Sequence, residues 1–488
     1  MAVDRTCLPA VGADPLFALP TVEHHRLSNG LAVRTVEHHS VPVVTAVLMV
    51  EGGSGADPAG HEGLAALTAD MVDEGTGALS AIEVSDRMAR IGAQYDVDVG
   101  PDATVFTLTT LARFAERGVR LLGDLVMTPS LREIDFTRVR QLRLDRLRQL
   151  KDVPPTVAER AFLRTLYGSH PYAHLALGTE EALTRLTLDD VSAFHAATCR
   201  PSAATLVLAG DLTHQELAAI AAAVCGGWTD PPSPQASARQ GPPSPQASAR
   251  QGPPSPQASA GQGSAAAPLT RAADVPVAEQ PHAAVAIVPR EGAAQSELRI
   301  GHLVTGRSTP DYAALLVMNA VLGGQFVSRV NLKLREEKGY TYGARTGFDW
   351  RRGPTPFVLS AAVHTAATVD AIRDSLAEIE GIRGSRPPAD AELNLAKASL
   401  TRGFPRNFET AQQVARAIGQ LVLYGLPDSY FETFVPKVNS VTGPELVAAA
   451  SRHLDPSKLM TLVVGDHSVI GSQLQTLTSQ DLRVLPAT

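Results

Sequence analysis

The chain has 488 residues, of which 44% are hydrophobic and 19% charged, and its formal net charge is −7 at pH 7. This length is more than one hydrophobic core usually organises, so two to four domains are expected, and the acidic balance without a basic tail argues against nucleic-acid binding. The widely separated Cys7, Cys199 and Cys225 support neither a zinc knuckle nor a disulfide framework.

No part of the sequence resembles a targeting or membrane-spanning segment. Residues 1–20 lack the basic start and long apolar run that a signal peptide needs. No stretch approaches the roughly 18 uninterrupted apolar residues of a transmembrane helix, so no membrane partner is expected. We expect a cytoplasmic protein, or a periplasmic one only if a leader sequence was lost.

The first half of the chain alternates segments of strand and helix character. Strands are predicted, from β-branched or alternating residues, at Leu31–Val36, Val43–Val50, Ala93–Val99 and Ala103–Thr110. Helices are predicted, from helical periodicity, at Gly63–Val72, Val84–Ile91, Arg113–Val126, Ile134–Lys151 and Val157–Tyr167. This is an α+β pattern, with strands in one layer and helices in the other.

A threefold repeat of eleven residues divides the chain. PPSPQASARQG begins at Pro231 and recurs at Pro242, and PPSPQASAGQG follows from Pro253. Its composition offers no apolar face to bury, which predicts an exposed linker, here placed at 229–277 between halves at 21–228 and 278–475. A proline-rich ligand for a partner is the alternative, although no strong PxxP pattern with flanking charge is present.

The two halves echo each other. Ala204–Leu212 (ATLVLAGDL) and Leu459–His467 (LMTLVVGDH) are apolar strands that end in Gly-Asp, and each closes its half. Near the start of the second half, the strand Leu298–Val304 leads through a small-residue turn into the helix Tyr312–Leu322, as in the first half. Two homologous halves are therefore expected.

Short motifs along both halves together resemble the pitrilysin (insulinase-like) family of inverted-motif zinc peptidases, which includes the mitochondrial processing peptidases. In the first half they are Leu27–Val33 (LSNGLAV), Gly52-Gly53-Ser54, His170-Pro171-Tyr172, Gly178-Thr179 and Gly210-Asp211. In the second half they are Gly323-Gly324, Leu334–Gly339 (LREEKG), Phe408-Glu409-Thr410 and Gly425-Leu426-Pro427. The resemblance implies two homologous halves of antiparallel-rich sheet plus helices, forming a clam shell.

Active members of that family carry His-x-x-Glu-His on a helix, where two imidazoles on one face share a zinc ion and the Glu deprotonates its water. Here the corresponding segment is Gly63–Met71 (GLAALTADM). Ala66 stands at the first His, Ala69 at the Glu and Asp70 at the second His. The resemblance therefore implies that this zinc motif is degenerate.

The third zinc ligand of the family, a Glu, should fall on the helix that precedes Asp152. Leu144, Asp145 and Arg146 stand around that position. Asp70, with Asp145 at most, cannot form a three-ligand zinc site, so no metal or cofactor is expected in this chain. His170 and His174 are four apart, but Pro171 separates them in a predicted loop, and structural histidines are the simpler interpretation.

The family also uses an Arg and a Tyr from the second half, which reach substrate at the zinc. Arg335 and, seven residues on, Tyr342 match that spacing in LREEKGYTYGA, whereas the spacing of Tyr340 is wrong. An Arg can donate paired hydrogen bonds to a carbonyl, and a Tyr can donate to an oxygen that becomes negative. Without the resemblance, a salt-bridged helix-end Arg and a Tyr packed on a strand would be the simpler interpretation.

These features predict a non-catalytic subunit of a two-chain zinc endopeptidase, inactive alone, in which Arg335 and Tyr342 act with the zinc site of a homologous partner in a heterodimer or larger assembly. The substrate would be an unfolded peptide that adds to a strand edge. A structural or peptide-binding protein of the same fold is the alternative. An independent enzyme with an unrecognised metal site is less favoured.

Overall fold

The computed structural model describes Gly12 and residues 17–230, 271–278, 284–479 and 481–486. The predicted eleven-residue repeats, at 231–263, lie outside these residues. Two six-stranded sheets, each accompanied by helices, make up the two halves. None of the described helices combines the length and the apolar character that a membrane crossing requires.

The first half carries the N-terminal sheet. Its six strands are β1 (Val22–Arg26), β2 (Ala32–Glu37), β3 (Val43–Glu51), β6 (Gln94–Val99), β7 (Ala103–Leu111) and β8 (Ala204–Gly210), and β4 (Gly75–Thr76) and β5 (Leu79–Ser80) form a separate short pair. Its helices are α1 (Leu64–Val72), α2 (Ala81–Arg90), α3 (Ala115–Met127), α4 (Glu133–Leu150), α5 (Pro154–Tyr167), α6 (Glu180–Arg185), α7 (Leu188–Thr198) and α8 (His214–Cys225).

The second half carries the C-terminal sheet. Its strands are β9 (Val285–Pro289), β10 (Gln295–Val304), β11 (Ala344–Phe348), β12 (Thr355–His364), β13 (Met460–Gly465) and β14 (Arg483–Val484). Its helices are α9 (Tyr312–Leu322), α10 (Arg329–Asn331, continued by a π-helical turn, Leu332–Glu337), α11 (Thr368–Glu380), α12 (Asp390–Thr401), α13 (Ala411–Tyr424), α14 (Tyr430–Ser440), α15 (Gly443–His453) and α16 (His467–Leu474).

The two sheets share the order and directions of five strands and differ in the sixth, since β1 is antiparallel to β2 whereas β14 is parallel to β9. The N-terminal sheet runs β1-β2-β8-β3-β7-β6, and the C-terminal sheet runs β14-β9-β13-β10-β12-β11. In the N-terminal sheet, β8 lies between β2, to which it is parallel, and β3, to which it is antiparallel. In the C-terminal sheet, β13 lies in the same way between β9 and β10. The predicted α+β fold with two homologous halves is confirmed.

Both faces of the N-terminal sheet are apolar, because strand side chains alternate and neither set is polar along β3. Leu48 faces one side, where it packs with Leu122 of α3 and Leu217 of α8. Val47 faces the other side, which helix α13 of the second half covers with residues such as Ile418. Helices of its own half therefore cover only one face of this sheet.

The C-terminal sheet is covered in the same reciprocal way. Its own helices, including α9, α11 and α15, pack on the face that contains Leu298 and Ile300. The opposite face, with Leu462 and Val464, packs against Phe162 of helix α5 from the first half. Each half thus contributes one helix to the core of the other, so the halves share their hydrophobic cores.

Polar contacts beside these helices connect the first half to the second. Asp102, in the turn before β7, accepts hydrogen bonds from the Tyr172 hydroxyl and from the backbone N–H of Arg352, the latter at 2.9 Å. The Arg351 guanidinium lies over the rings of Tyr167 and Tyr172 and donates to the Tyr172 carbonyl. The motif His170-Pro171-Tyr172 therefore serves the contact between the halves.

The packed regions extend beyond the predicted boundaries. Ala272, in the segment predicted as linker, is buried in the core shared by α5 and the C-terminal sheet, and Arg271 pairs with Glu51. At the other end, β14 pairs with β9 although it follows residue 475. Both segments contribute to the contact surface of a half.

Replacing Ile418, on the face of α13 that covers the N-terminal sheet, should destabilise both halves together. Ile418→Ala should lower the free energy of unfolding by roughly 2–5 kcal/mol, because it leaves a cavity in the shared core. The control Ile82→Ala removes the same atoms from a side chain that is 75% exposed. It should change the free energy of unfolding by less than about 0.5 kcal/mol.

Denaturant unfolding can follow the halves separately, because Trp228 lies in the first and Trp350 in the second. In the single-tryptophan variants Trp228→Phe and Trp350→Phe, the two transitions should coincide, with and without Ile418→Ala. Separate midpoints for the two tryptophans would contradict the shared core.

Candidate functional site

The helix that carries the degenerate zinc motif is anchored at its first turn. The buried carboxylate of Asp57 accepts hydrogen bonds from the backbone N–H groups of Gly63 and Ala65, both at 2.7 Å. Burial nevertheless raises the pKa of Asp57 to about 7. Gly63 has φ = 101° and approaches Gly178 so closely that a Cβ would lie 2.9 Å from its Cα, so this start of α1 requires glycine.

An arginine of α4 contacts two of the three motif residues on α1. Ala66 and Ala69 are buried, while Asp70 is partly exposed and forms an ion pair with Arg143 of α4. The same guanidinium reaches the carbonyl oxygens of Ala66, at 3.4 Å, and Ala176, at 3.2 Å. The guanidinium of Arg143 therefore supplies the positive charge beside Asp70 of α1.

The residues predicted around the third ligand position face elsewhere. Leu144 is buried in the core, Asp145 pairs with Arg148, and Arg146 contacts the side chain of Gln149. Arg143, one residue before that window, faces Asp70 instead. Sequence reasoning missed this residue, although its charge is complementary to that of Asp70.

These residues do not fit a zinc ion. Two of the three motif positions are alanines without donor atoms, and the guanidinium would repel a second cation. In the described part of the chain, no group of three or more His, Cys, Asp or Glu side chains is placed to hold a metal. His170 contacts the carbonyl of Val275 and the N–H of Tyr172, and the ring of His174 lies 3.9 Å from Asp57, so both histidines have structural contacts.

Other basic residues of α4 are also paired with acids of this chain. Arg138 pairs with Glu74, and Arg148 pairs with Asp145 and Glu180. Asp73, directly after α1, is partly buried, and burial together with the neighbouring charges of Glu74 and Asp70 raises its pKa to about 6. The helix therefore contributes internal ion pairs rather than a continuous basic surface.

Strand β6 forms the edge of the N-terminal sheet next to α1. Its inner edge pairs with β7, whereas within the described residues no backbone hydrogen bond reaches its outer edge. Asp96 points to the face covered by α13, where it pairs with Arg416 at 2.7 Å. This edge can accept one further strand.

Arg335 and Tyr342 lie on two neighbouring segments of the second half. Arg335, in the π-helical turn after α10, stacks over the ring of Phe326, with its Cζ 4.3 Å from the ring centroid. Its Nη1 lies 3.5 Å from the Glu336 carboxylate and makes no hydrogen bond in the described structure. Tyr342 is 90% exposed, and no described group hydrogen-bonds to its hydroxyl, whereas Tyr340 packs against the core.

Phe326 and Tyr342 line one open cavity of about 540 Å³ on the C-terminal sheet. Its floor includes Ser360 of β12, and Arg345 projects from the edge strand β11. Among the described residues, no hydrogen bond or ion pair connects Arg335 or Tyr342 to α1. The structure therefore does not bring the Arg/Tyr pair into contact with the degenerate motif of the same chain.

Two family models match successive parts of the chain. The insulinase model (peptidase family M16) matches residues 32–180, and the model of the peptidase M16 inactive domain matches residues 185–400. The degenerate motif lies in the first match, and both Arg335 and Tyr342 lie in the second. The resemblance seen in the sequence is confirmed.

Known proteins that resemble this chain include peptidases and non-peptidases. It is 24% identical over 456 residues to an uncharacterized zinc protease of Mycobacterium bovis, covering 93% of this chain and 95% of that protein. It is 26% identical over 165 residues to a non-peptidase homologue of Helicobacter pylori, covering 34% and 38%. A solved peptidase M16 inactive domain from Pseudomonas fluorescens has the same fold, with a TM-score of 0.77, 24% identity and coverage of 91% and 98%.

The ion pair between Asp70 and Arg143 should stabilise the contact of α1 with α4. Asp70→Ala and Arg143→Ala should each lower the free energy of unfolding by about 1.5–3 kcal/mol, since each leaves the other charged group without its partner. The double variant should lose less than the sum of the two. Glu116→Ala and Arg120→Ala disrupt an exposed pair and should cost less than about 1 kcal/mol in the same denaturant titration. Additive effects at Asp70 and Arg143 would show that the pair contributes nothing.

The purified chain alone should contain no stoichiometric zinc and show no chelator-sensitive peptidase activity. The reason is that alanine fills two of the motif positions and Arg143 faces the third. Elemental analysis after dialysis and cleavage of labelled casein with and without 1,10-phenanthroline test both statements. One tightly bound zinc per chain would contradict the expectation.

Proposed function

The chain belongs to the insulinase family, peptidase family M16, and we propose that it acts in that family as a non-catalytic subunit, supplying Arg335 and Tyr342 to the zinc site of a homologous partner chain. The observation that carries the proposal is a pair of side chains with unused donors. Tyr342 is 90% exposed and no described group hydrogen-bonds to its hydroxyl, while the buried Nη1 of Arg335, 3.5 Å from the Glu336 carboxylate, makes no hydrogen bond in the described structure. Polar groups normally contact protein or water, so the exposed Tyr342 hydroxyl and the part-exposed Arg335 side chain can bind a ligand.

The surface around these donors supports a protein contact. Phe326 is 66% exposed, Val327 47% and Leu332 44%, all within a short stretch of the sequence next to Arg335. Several large apolar side chains exposed together are typical of an interaction surface. A second chain would bury them and bring its own site to the Arg/Tyr pair.

The chemistry assigned to this chain is binding and charge stabilisation. The guanidinium of Arg335 donates hydrogen bonds to a carbonyl of the peptide and so orients it. The hydroxyl of Tyr342 donates to the carbonyl oxygen that gains negative charge during hydrolysis. A zinc ion bound in the partner would activate the attacking water.

The substrate in this proposal is an unfolded peptide. An extended segment can pair with the outer edge of β6, where backbone N–H and C=O groups are available. Backbone pairing requires extended conformation and does not depend on side-chain identity. We therefore expect broad sequence tolerance, with preferences set by the pockets of the assembled pair.

A peptide-binding protein without any peptidase role is the second candidate. The similarity to a non-peptidase homologue of Helicobacter pylori and the internal ion pair at the degenerate motif favour it. In that case the edge of β6 would still bind peptide, while Arg335 and Tyr342 would have no catalytic effect. The two candidates therefore differ in one measurement.

Arg335→Ala and Tyr342→Phe should each reduce peptide cleavage by the complex of this chain with its zinc-bearing partner, on the order of 100-fold in kcat. Losing a donor to a developing oxyanion typically costs ~2.7–4 kcal/mol in the transition state. Tyr342→Phe keeps the ring, so it separates donation from packing. The measurement is steady-state cleavage of labelled casein by the complex purified through a tag on this chain.

Two matched controls come from the same segment of the chain as Tyr342. Arg345→Ala removes an exposed arginine of β11, and Tyr340→Phe removes the hydroxyl of the tyrosine that packs against the core. Both should leave kcat within about twofold, and gel filtration should show that all four variants assemble. If the Arg335 and Tyr342 variants assemble and cleave like the wild type, or if no zinc-bearing chain copurifies, the second candidate replaces this proposal.

A further inference from the structure

One buried amide joins the two segments that carry Arg335 and Tyr342. Asn331, at the end of α10, is 4% exposed. Its Nδ2 donates to the carbonyl oxygen of Phe326 at 2.6 Å, and its Oδ1 accepts from the backbone N–H of Ala344 at 3.0 Å. Phe326 precedes α10, whereas Ala344 begins β11, two residues after Tyr342.

We propose that Asn331 is a positioning residue that sets the relative placement of Arg335 and Tyr342; this inference rests on the function proposed above. On one side it fixes the backbone of Phe326, whose ring supports the Arg335 guanidinium. On the other side it fixes the start of β11 and so the short turn that carries Tyr342. Asn331 also lines the cavity that contains Phe326 and Tyr342, but both ends of its amide are engaged by backbone groups, so we assign it a positioning role.

The stacking on Phe326 determines how Arg335 can be used. A guanidinium over an aromatic ring is attracted by the negative face of the ring, so the position of the Phe326 ring bears on the position of Arg335. Because the ring of Phe326 is largely exposed, its own packing cannot fix it, and its backbone must be held. The hydrogen bond from Asn331 provides that restraint.

An asparagine is suited to this position because a single planar group offers a donor and an acceptor. The Phe326 carbonyl needs a donor, and the Ala344 N–H needs an acceptor. Aspartate of the same shape can still accept from Ala344 but cannot donate to Phe326, while leucine can do neither. The two variants therefore remove the two hydrogen bonds in different combinations.

A separate contact on the same strand provides a control. The hydroxyl of Thr346, also on β11, donates to Oδ1 of Asn319 at 2.8 Å. This hydrogen bond is part-buried like the one from Asn331 to Phe326, but it reaches neither Phe326 nor Ala344. Thr346→Val keeps the shape of the side chain and removes only that hydrogen bond.

The first experiment needs no partner. Amide hydrogen exchange of the full chain should show Ala344 protected in the wild type, in Asn331→Asp and in Thr346→Val, and exchanging at least tenfold faster in Asn331→Leu. Unchanged protection of Ala344 in Asn331→Leu would overturn the inference, whatever the activity measurements show. If the leucine variant does not fold, Asn331→Ser, whose shorter side chain cannot reach both loops, takes its place.

The second experiment uses the complex with the zinc-bearing partner and labelled casein. Asn331→Asp and Asn331→Leu should lower kcat by about 10- to 100-fold with little change in KM, because misplaced catalytic groups lose rate rather than binding. Thr346→Val should leave kcat within about twofold. In the background Arg335→Ala with Tyr342→Phe, the Asn331 substitutions should have almost no further effect, since Asn331 acts through those two residues.

The outcomes separate this inference from the proposed function. If the Arg335/Tyr342 double variant is impaired but the Asn331 variants cleave normally, or lose the same factor in both backgrounds, the positioning role is wrong and the proposed function stands. If the double variant cleaves like the wild type, the proposed function fails, and the positioning role fails with it. Protection of Ala344 then still decides whether the amide holds the two loops together.

Discussion

Each sheet of this protein has two apolar faces, and its own half supplies helices for only one of them. The exchange of α5 and α13 follows from that constraint, since an uncovered face with Val47 or Leu462 would lie in water. Because the exchanged helices fill the space between the halves, the described halves form one unit with a continuous core.

At the segment that resembles the zinc motif of the family, an internal ion pair joins α1 to α4. In an active relative, a zinc ion would balance the negative charge of its ligands between two helices that correspond to α1 and α4. In this chain Arg143 supplies a positive charge and Asp70 the matching negative one, while alanines close the remaining space. This ion pair holds α1 against α4, next to the open edge of β6.

The elements and the repeat could be predicted from the sequence because they depend on local periodicity and on apolar strands such as Ala204–Leu212. The sequence could not predict which helix covers which sheet. An apolar helix face shows that the helix packs against something, but it does not identify the sheet. Arg143 was missed because a shift of one residue on α4 changes which side chain faces Asp70. Asn331 was missed because one polar residue in a helical segment gives no signal before its two distant backbone partners are known.

The homologous halves differ at the equivalent edge strands, and this difference bears on how one chain can serve a peptide. In the second half the loop after α9 closes the edge of β11, where the carbonyl of Gly323 accepts from the N–H of Thr346 at 3.0 Å. A Cβ at Gly323 would lie 2.6 Å from that nitrogen, so the close approach depends on glycine. The edge of β6 has no such cover among the described residues. One half thus has an open strand edge, whereas the other has covered its equivalent edge and carries Arg335 and Tyr342 beside it, so in the function proposed above peptide pairing and charge stabilisation would fall to different halves.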